Sequence, residues 1–357
     1  MLRTFIIAEA GVNHNGDENR ALEMVDLASS AGADAVKFQT FNSSSLTTAF
    51  APKAKYQQEN TSAEENQREM LQKLELSKDS YHKIIKRCKE KEIKFMSTAF
   101  DSDSLLFLVN DLKVDLLKIP SGEITNGPFL LEHARTGLDI ILSTGMSNIE
   151  EVQEALSTIA FGYLNEGEPQ ENSLIDIFSS SSGKKIVQEK VTLMHCTSQY
   201  PAQNEDINLR AITTLIDTFN IKVGYSDHSL GTLISSNAIS LGAVLIEKHF
   251  TLDKDLPGPD HRASLDPEEL RDLVKTIRNT EEFLGDGIKV SKKSENENLN
   301  ISRKSIVAKK DIQKGDFFSK DNLTFKRPGS GISPMKFWSL IGQKSKRDYL
   351  KDELIEK

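Results

Sequence analysis

The sequence predicts a (β/α)8 TIM barrel followed by a small second domain. Short apolar segments alternate eight times with helical patterns, and eight such units in about 285 residues is the number that closes a barrel. The apolar segments show little period-two alternation, which is typical of parallel strands covered by helices on the outer face of a sheet. A doubly wound open sheet is the competing fold.

The predicted strands are short runs of apolar and β-branched residues bounded by turn residues. In chain order they are FIIAEA from Phe5, DAVKFQT from Asp34, KFMSTAF from Lys94, DLLKIPSG from Asp115, LDIILSTG from Leu138, VTLMHCTS from Val191, IKVGYSDH from Ile221 and VLIEKHFT from Val244. Helical patterns are expected at Glu18–Ser30, Ser80–Glu92, Ser102–Asn110, Pro128–Arg135, Ile149–Ala160, Leu209–Phe219, Gly231–Leu241 and Pro267–Leu284. The barrel is therefore expected to span residues 1–286.

Three segments fall outside the barrel pattern. Residues 162–190 are polar and serine-rich, which predicts a long surface loop without chemistry before the sixth strand. Residues 287–301 are charged and lack periodicity, which predicts a linker. Residues 302–357 are rich in short strand and turn signals, and a domain of this size is expected to need support from a neighbour.

Composition narrows the class of protein. The 357 residues include 45 Lys and Arg against 53 Asp and Glu, and the net charge of −8 argues against nucleic acid or anionic lipid as a partner. No apolar run approaches the roughly 18 residues that a membrane helix needs, and Glu9 interrupts the N-terminal apolar stretch, so we expect a cytoplasmic protein. Two cysteines, Cys88 and Cys196, are too few for a disulfide framework and fit a reducing compartment.

Nearly every predicted strand ends in a polar side chain. In a parallel barrel these ends meet at one mouth, where the catalytic groups of such enzymes lie. A single residue of this kind is more often a solvated loop residue, but a set from all eight strands predicts an active site. The set consists of Glu9, Lys37, Gln39, Thr98, Lys118, Ser121, Glu123, Ser143, Ser198, Tyr200, Ser226, Asp227, His228 and His249.

Two features of this set suggest a chemistry. His228 and His249 are one βα repeat apart and would present imidazoles from adjacent strands, which favours an open site for Mn²⁺, Fe²⁺, Co²⁺ or Zn²⁺, although hydrogen-bonded histidines are an alternative. Lys37 and Lys118 form a cationic nest suited to phosphate and carboxylate, unless each pairs with an acid such as Glu9. Together with proton-transfer carboxylates, these groups suggest carbon-carbon chemistry on phosphoenolpyruvate.

Seven ordered motifs and a C-terminal one resemble the sialic acid synthases, the nonulosonate synthase family. They are IIAEAGVNHNGD, VKFQTF, KIPSGEITNGP, ILSTGM, HCTSQYP, GYSDHSLG and IEKHFTLDKDLPGPDHRASL, followed by KRPGSGI, which is similar to the family's antifreeze-like (SAF) domain, a β-clip fold. The resemblance covers essentially the whole chain. It implies a barrel that condenses phosphoenolpyruvate, an N-acylated mannosamine and water into a nine-carbon 2-keto acid and phosphate, with a divalent metal.

The resemblance also implies roles for individual residues. His228 and His249 would bind the metal, Mn²⁺ or alternatively Mg²⁺ or Co²⁺, and Glu123 would orient or deprotonate the attacking water. Glu9, Glu123, Tyr200 and Asp260 would face the sugar. Phosphoenolpyruvate would be held by Lys37, Gln39, Thr98, Lys118, Ser121, Ser143 and Ser226.

Two further residues follow from the family pattern. Arg327 matches an arginine that reaches the partner subunit's active site and contacts the acylamino group of the sugar, which implies a domain-swapped homodimer. Ser198 stands where some members carry Asn, so one donor near phosphoenolpyruvate differs.

The sequence leaves the acceptor sugar open. N-Acetylmannosamine, leading to N-acetylneuraminate, and a diacetamido-trideoxymannose, leading to N,N'-diacetyllegionaminate, both fit the motifs. Two other functions compete with a synthase of this family. One is a 3-deoxy-sugar-acid synthase that uses an aldose phosphate, and the other is a carbohydrate-binding protein without catalysis.

Overall fold

The computed structural model describes residues 3–62 and 64–356 and divides the chain into two compact units. The first unit ends at Asp286 and the second begins at Gly287. Among the helices of the described chain, none is long and apolar enough to cross a membrane.

The first unit is a closed barrel of eight parallel strands in sequential order, so the predicted fold is confirmed. Its strands are β1 Phe5–Gly11, β2 Ala35–Thr40, β3 Lys94–Ala99, β4 Leu116–Ile119, β5 Asp139–Ser143, β6 Val191–Cys196, β7 Lys222–Asp227 and β8 Leu245–His249. Barrel closure leaves no free sheet edge, since β1 pairs with both β2 and β8.

Helices cover the outer face of the barrel or lie in its connections. They are α1 Glu18–Ala31, α2 Ser43–Leu46, α3 Lys55–Asn60, α4 Gln67–Gln72, α5 Lys78–Glu90, α6 Ser102–Leu106, α7 Gly127–Arg135, α8 Ile149–Leu164, α9 Glu171–Ser179, α10 Ser181–Lys190, α11 Arg210–Phe219, α12 Leu233–Ser240 and α13 Pro267–Leu284. Side-chain caps fix several starts: Asp17 accepts from the first turn of α1, and Asp266 does the same for α13.

The prediction of a long loop over residues 162–190 is wrong. The helix α8 runs on to Leu164, and α9 and α10 fill most of the remainder. The serines that suggested a loop instead cap helices, since the Ser180 side chain accepts from the backbone N–H of Gly183 at the start of α10. The apolar Val187 of α10 packs into the barrel's outer core.

The helices α2, α3 and α4 between β2 and α5 were also missed by the sequence analysis. Each is six residues or shorter, so none shows a full amphipathic period. The predicted helix Ser102–Asn110 is α6 followed by a π-helical turn over Phe107–Asp111. The segment between β2 and α5, the β2–α5 segment, contributes residues to the lining of the cavity at the mouth of the barrel.

The second unit has its own apolar core. The helix α14, Asn296–Ser302, lies in the segment predicted as a linker. The strands β9 Ser305–Ala308 and β10 Leu323–Lys326 pair antiparallel, and the short helix α15 covers Phe337–Leu340. The core side chains are Ile306, Ala308, Ile312, Phe318, Leu323, Ile332, Tyr349 and Ile355.

Candidate active site

The strands of the barrel change from apolar to polar at one level of the interior. The lower interior is filled by a layer of buried apolar side chains, which comprises Ile7, Ala35, Met96, Ile141, Met194 and Leu245. The side chain two residues further along each of these strands lies on the same face. Those positions hold Glu9, Lys37, Thr98, Ser143, Cys196 and Glu247, all of which line a cavity of about 560 Å³.

The cavity brings together every barrel residue singled out by the family resemblance. These are Glu9, Lys37, Gln39, Thr98, Lys118, Ser121, Glu123, Ser143, Ser198, Tyr200, Ser226, His228, His249 and Asp260. Arg327 belongs to the second unit, where it is exposed and its Nε donates to the carbonyl oxygen of Ser302. Glu247 lines the same cavity but was missed, although its position two residues before His249 places both on one face of β8.

The floor of the cavity is a buried cluster of two lysines and two glutamates. Lys37 Nζ lies 2.8 Å from Glu9 Oε2 and 3.6 Å from Glu247 Oε2. Lys118 Nζ lies 3.6 Å from Glu247 Oε1 and donates to Ser143 Oγ at 2.8 Å. Both lysines therefore pair with an acid, which was the alternative left open by the sequence, and Glu247 is the partner they share.

The pKa values of the two glutamates of the floor are shifted in opposite directions. Burial opposes ionisation of Glu247, but the attraction of Lys118 and Lys37 and the Ser226 hydrogen bond lower its pKa to about 2. Burial raises the pKa of Glu9 to about 7, because the attraction of Lys37 offsets only part of the lost solvation and the like charge of Glu247 adds to the rise. At neutral pH Glu247 is therefore firmly ionised and Glu9 is near its midpoint. Burial lowers the pKa of Lys118, whereas the attraction of Glu247 and Glu9 outweighs burial and raises that of Lys37.

The two histidines lie side by side above this floor. Their ring centroids are 5.7 Å apart, and the Tyr200 ring lies 4.2 Å from His228. His228 Nδ1 is 2.7 Å from the carbonyl oxygen of Thr197, so Nδ1 donates and Nε2 keeps its lone pair. His249 Nδ1 is buried and has no hydrogen-bond partner in the described part of the chain. Burial lowers the pKa of His228 to about 4 and that of His249 well below its usual value, so both imidazoles are neutral.

The protein supplies some, but not all, of the ligand atoms that a divalent metal needs. A metal-binding histidine commonly donates its other ring N–H to a carbonyl oxygen, as His228 does. On His249, the buried Nδ1 has no hydrogen-bond partner among the described residues, so it is a candidate ligand atom. Throughout residues 3–62 and 64–356, no group of three or more His, Cys, Asp or Glu side chains could hold a metal ion. The protein therefore offers two nitrogen ligands, and water or substrate oxygen would have to supply the others, as hard divalent cations accept.

An ion pair on the outer face of the barrel sets the positions of the histidines. Lys248 Nζ lies 2.9 Å from Asp227 Oδ2, and both side chains are buried. Asp227 also accepts from the Ser229 and Ser235 hydroxyls, and Lys248 donates to the Ser229 carbonyl oxygen. Because Asp227 precedes His228 and Lys248 precedes His249, this pair fixes the ends of β7 and β8 relative to each other.

The rim of the cavity carries the groups expected near the sugar. Burial raises the pKa of Asp260 to about 6 and that of Tyr200 well above its usual value. Glu123, half-buried at the rim, accepts from Asn126 Nδ2 at 2.7 Å. The glycine of the ILSTGM motif leaves room for the side chains around it, because a Cβ on Gly145 would lie 2.4 Å from Ser198 Oγ and would force that hydroxyl to move.

The β2–α5 segment closes one side of the cavity. Tyr56 and Gln57 of α3 line it, and the Tyr56 ring lies 5.1 Å from that of Tyr200. Asn60 Nδ2 donates to the carbonyl oxygen of Pro259, which ties the segment to the loop after β8. The sequence pattern did not place these residues at the cavity, because they reach it only through the path of a non-periodic segment.

Buried neutral histidines predict acid instability of the barrel. The pKa values of His14, His133 and His228 are each lowered to about 4 by burial. Their unfolded forms bind protons more tightly, so stability is intact above pH 6.5 and is lost as the pH falls to 4, by up to about 3 kcal/mol per histidine. We expect the far-UV CD melting temperature to drop steeply across this window.

The variant His133→Phe isolates one of these contributions. His133 lies in α7, fully buried against Phe129, so the change should flatten the dependence of melting temperature on pH without touching the cavity. Replacing the exposed His82 with Phe is the matched control and should leave the slope unchanged. An equal slope in wild type and His133→Phe would contradict the assignment.

These features define a class: a (β/α)8 enzyme whose cavity combines buried lysines for a small anion with a neutral histidine pair. The chain belongs to the NeuB family, whose model matches residues 24–289, and residues 303–357 match the SAF domain. Membership confirms the family predicted from the motifs, together with the SAF domain and an enzymatic function. The alternatives of a 3-deoxy-sugar-acid synthase and of a binding protein without catalysis are set aside.

Individual relatives are similar over nearly the whole chain. The N,N'-diacetyllegionaminic acid synthase of Campylobacter jejuni is 47% identical over 355 residues, 99% of either chain. That of Legionella pneumophila is 46% identical over 95% of this chain and 90% of its own. Among solved structures, the N-acetylneuraminic acid synthetase of Leptospira borgpetersenii is 34% identical with a TM-score of 0.67, and the match covers 83% of this chain and 90% of that one.

Proposed function

We propose that this chain is an N,N'-diacetyllegionaminate synthase. In this reaction, C3 of phosphoenolpyruvate forms a bond to the aldehyde carbon of the open-chain 2,4-diacetamido-2,4,6-trideoxymannose. Water adds at C2 of the former phosphoenolpyruvate, and the tetrahedral intermediate expels inorganic phosphate by C–O cleavage. The two relatives at 47% and 46% identity bear this activity in their names, which favours this sugar over N-acetylmannosamine.

The observation that carries the proposal is the charge of the cavity floor. Phosphoenolpyruvate brings about three negative charges at neutral pH from its carboxylate and phosphate. Lys37 and Lys118 are buried and already held in place, and the hydroxyls of Thr98, Ser143 and Ser226 lie beside them. Preorganised cations and donors of this kind bind carboxylate and phosphate without paying for reorganisation.

The balance of charge also supports a metal. The floor offers two positive charges against at least one negative charge on Glu247, so the bound trianion would leave a buried excess of negative charge. A divalent cation, Mn²⁺ or alternatively Mg²⁺ or Co²⁺, would be held by His228 and His249. When bound, such an ion polarises a carbonyl oxygen as a Lewis acid.

The protein groups around the sugar have separate tasks. Glu9, with its pKa raised to about 7, can hold the proton that the new hydroxyl needs when the aldehyde carbon is attacked. Glu123 at the rim is our candidate for orienting or deprotonating the water that adds at C2, with its carboxylate oriented by Asn126. Tyr200 and Asp260 would position the sugar by hydrogen bonds.

The test measures phosphate release from phosphoenolpyruvate with Mn²⁺ and one sugar at a time. We expect release with the diacetamido sugar, weaker release with N-acetylmannosamine and none with arabinose 5-phosphate. EDTA treatment should abolish release, and added Mn²⁺ should restore it. Full activity after EDTA would reject the metal, and release with N-acetylmannosamine alone would assign the neuraminate reaction instead.

We also propose a domain-swapped homodimer in the cytoplasm, where phosphoenolpyruvate is made. Arg327 would then contact the acylamino group of a sugar bound by the partner subunit. Replacing Arg327 with Ala should raise the sugar KM about 10- to 100-fold, the value of a charged hydrogen bond, and leave the KM of phosphoenolpyruvate within about twofold. An unchanged sugar KM, or a monomer by sedimentation, would argue against the swap.

A further inference from the structure

One side of the cavity is apolar. Five side chains form this apolar wall: Leu46 of α2, Met70 and Leu71 of α4, Leu74 after α4, and Phe100 after β3. Resting on the function proposed above, we propose that the apolar wall receives the C6 methyl group of the sugar and selects 6-deoxy sugars over sugars with a 6-hydroxyl.

The apolar wall combines fully buried and partly exposed hydrophobic side chains. Leu74 and Met70 are buried, whereas Leu46, Leu71 and Phe100 are half-buried while lining the cavity. Together with Val12 and Phe41, most of these residues form an apolar cluster separate from the main cores of the barrel. Half-buried leucines that line a cavity gain stability when a ligand covers them with an apolar group.

Phosphoenolpyruvate does not suit this surface. Its carboxylate and phosphate need the lysines of the floor, and its only apolar atom is the carbon that forms the new bond. The sugar must place its aldehyde carbon at that floor, so the far end of the open chain extends toward the rim. The apolar wall consists of residues of the β2–α5 segment and Phe100, and none of its side chains belongs to the lysine cluster of the floor.

Two polar side chains of the same segment are already engaged. Gln57 Oε1 accepts from the backbone N–H of Ala54, and Gln57 Nε2 lies 3.4 Å from the Tyr56 hydroxyl. A 6-hydroxyl set against Leu46 and Leu71 would exchange its bonds to water for contact with apolar side chains, which costs free energy.

The experiment compares two sugars that differ only at C6. These are N-acetylmannosamine and its 6-deoxy analogue, 2-acetamido-2,6-dideoxymannose. We expect the wild-type enzyme to prefer the 6-deoxy sugar about tenfold in kcat/KM, since an apolar pocket discriminates against an added hydroxyl by at most about 100-fold. Leu71→Ser and Leu46→Ser should each reduce this ratio severalfold, with the KM of phosphoenolpyruvate unchanged.

Controls separate a specific effect from loss of structure. Leu106→Ser changes an exposed leucine that does not line the cavity and should leave the ratio at the wild-type value. Leu71→Met keeps an apolar side chain and should retain the preference. Far-UV CD melting shows whether each variant is folded. The ratio of the kcat/KM values for the two sugars does not depend on the fraction of enzyme that is active, because that fraction cancels.

The outcomes distinguish the apolar wall from the reaction. A wild-type kcat/KM ratio near one would overturn the role of the apolar wall. Equal losses of kcat/KM with both sugars in folded Leu71→Ser and Leu46→Ser would do the same. In either case phosphate release would still support the proposed synthase. A loss confined to the diacetamido sugar would place the 4-acetamido group there instead and also overturn the role of the apolar wall. Absence of phosphate release with every sugar would reject the proposed function, and the apolar wall with it.

Discussion

Replacing His249 with alanine is expected to lower phosphate release about 10³-fold and to abolish Mn²⁺ binding, while the barrel stays folded. Among the described residues that line the cavity, two carry imidazoles, His228 and His249, so a metal held by the pair would lose half of its protein ligands. The fold should survive because, within residues 3–62 and 64–356, His249 Nδ1 has no hydrogen-bond partner that its removal would leave unpaired.

Three measurements on the folded variant check this result. Isothermal titration with Mn²⁺ reports binding without turnover, far-UV CD reports the fold, and phosphate release reports catalysis. The matched control is His82→Ala, which removes an exposed imidazole on α5 and should match wild type in all three. Wild-type Mn²⁺ affinity in His249→Ala would show that the metal binds elsewhere, and our assignment of the ligands would be wrong.

Replacing Glu247 with glutamine should cost about 3–5 kcal/mol of stability at neutral pH, the largest expected effect on the fold. Its carboxylate lies within 3.6 Å of the ammonium groups of both Lys37 and Lys118 and accepts from Ser226 at 2.9 Å. The neutral amide would leave two buried like charges with Glu9 as the remaining acid of the cluster. Phosphoenolpyruvate, which can replace the lost charge, should stabilise this variant more than it stabilises wild type.

Glu9→Gln is the matched control from the same cluster. Because the pKa of Glu9 is raised to about 7, this side chain is largely protonated at pH 6, and glutamine resembles that form. At pH 6 we therefore expect Glu9→Gln to cost about 1 kcal/mol or less, well below the cost of Glu247→Gln. Equal losses of unfolding free energy in Glu9→Gln and Glu247→Gln at pH 6 would contradict the opposite pKa shifts of the two glutamates.

These unfolding experiments require a probe of the barrel. The chain has one tryptophan, Trp338, and it lies in the second unit, so its fluorescence reports on that unit. Far-UV CD follows the helices of the barrel, and urea titrations at fixed pH give the free energy difference between variants. A chain of two units can unfold in two transitions, which must be fitted separately.

Much of the cavity could be predicted because strand ends in a barrel converge whatever their connections do. The predicted strands contain all eight observed ones apart from single residues at their ends, and the polar residues predicted at the strand ends line one cavity, except Asp227, which lies on the outer face. Glu247 was missed because it lies in the middle of its strand, two residues before His249, between the apolar Ile246 and the buried Lys248.

The β2–α5 segment could not be predicted in the same way. Its helices are too short for a periodic pattern, and Leu46, Leu71 and Tyr56 lie far apart along a stretch that looks like ordinary surface chain. The helices α9 and α10 were mistaken for a loop because their serines fit both a loop and a helix cap. Local composition did not separate these possibilities, and packing against the barrel did.

The sequence by itself determined the eight βα units and the residues at the mouth of the barrel, since both depend on periodicity and on the order of residues along each strand. Only the tertiary structure decided that the pKa values of Glu9 and Glu247 shift in opposite directions and that an apolar wall lines the same cavity as the lysines. Those properties depend on distances and burial among side chains brought together from distant parts of the chain, and electrostatic and hydrophobic free energies follow from that arrangement.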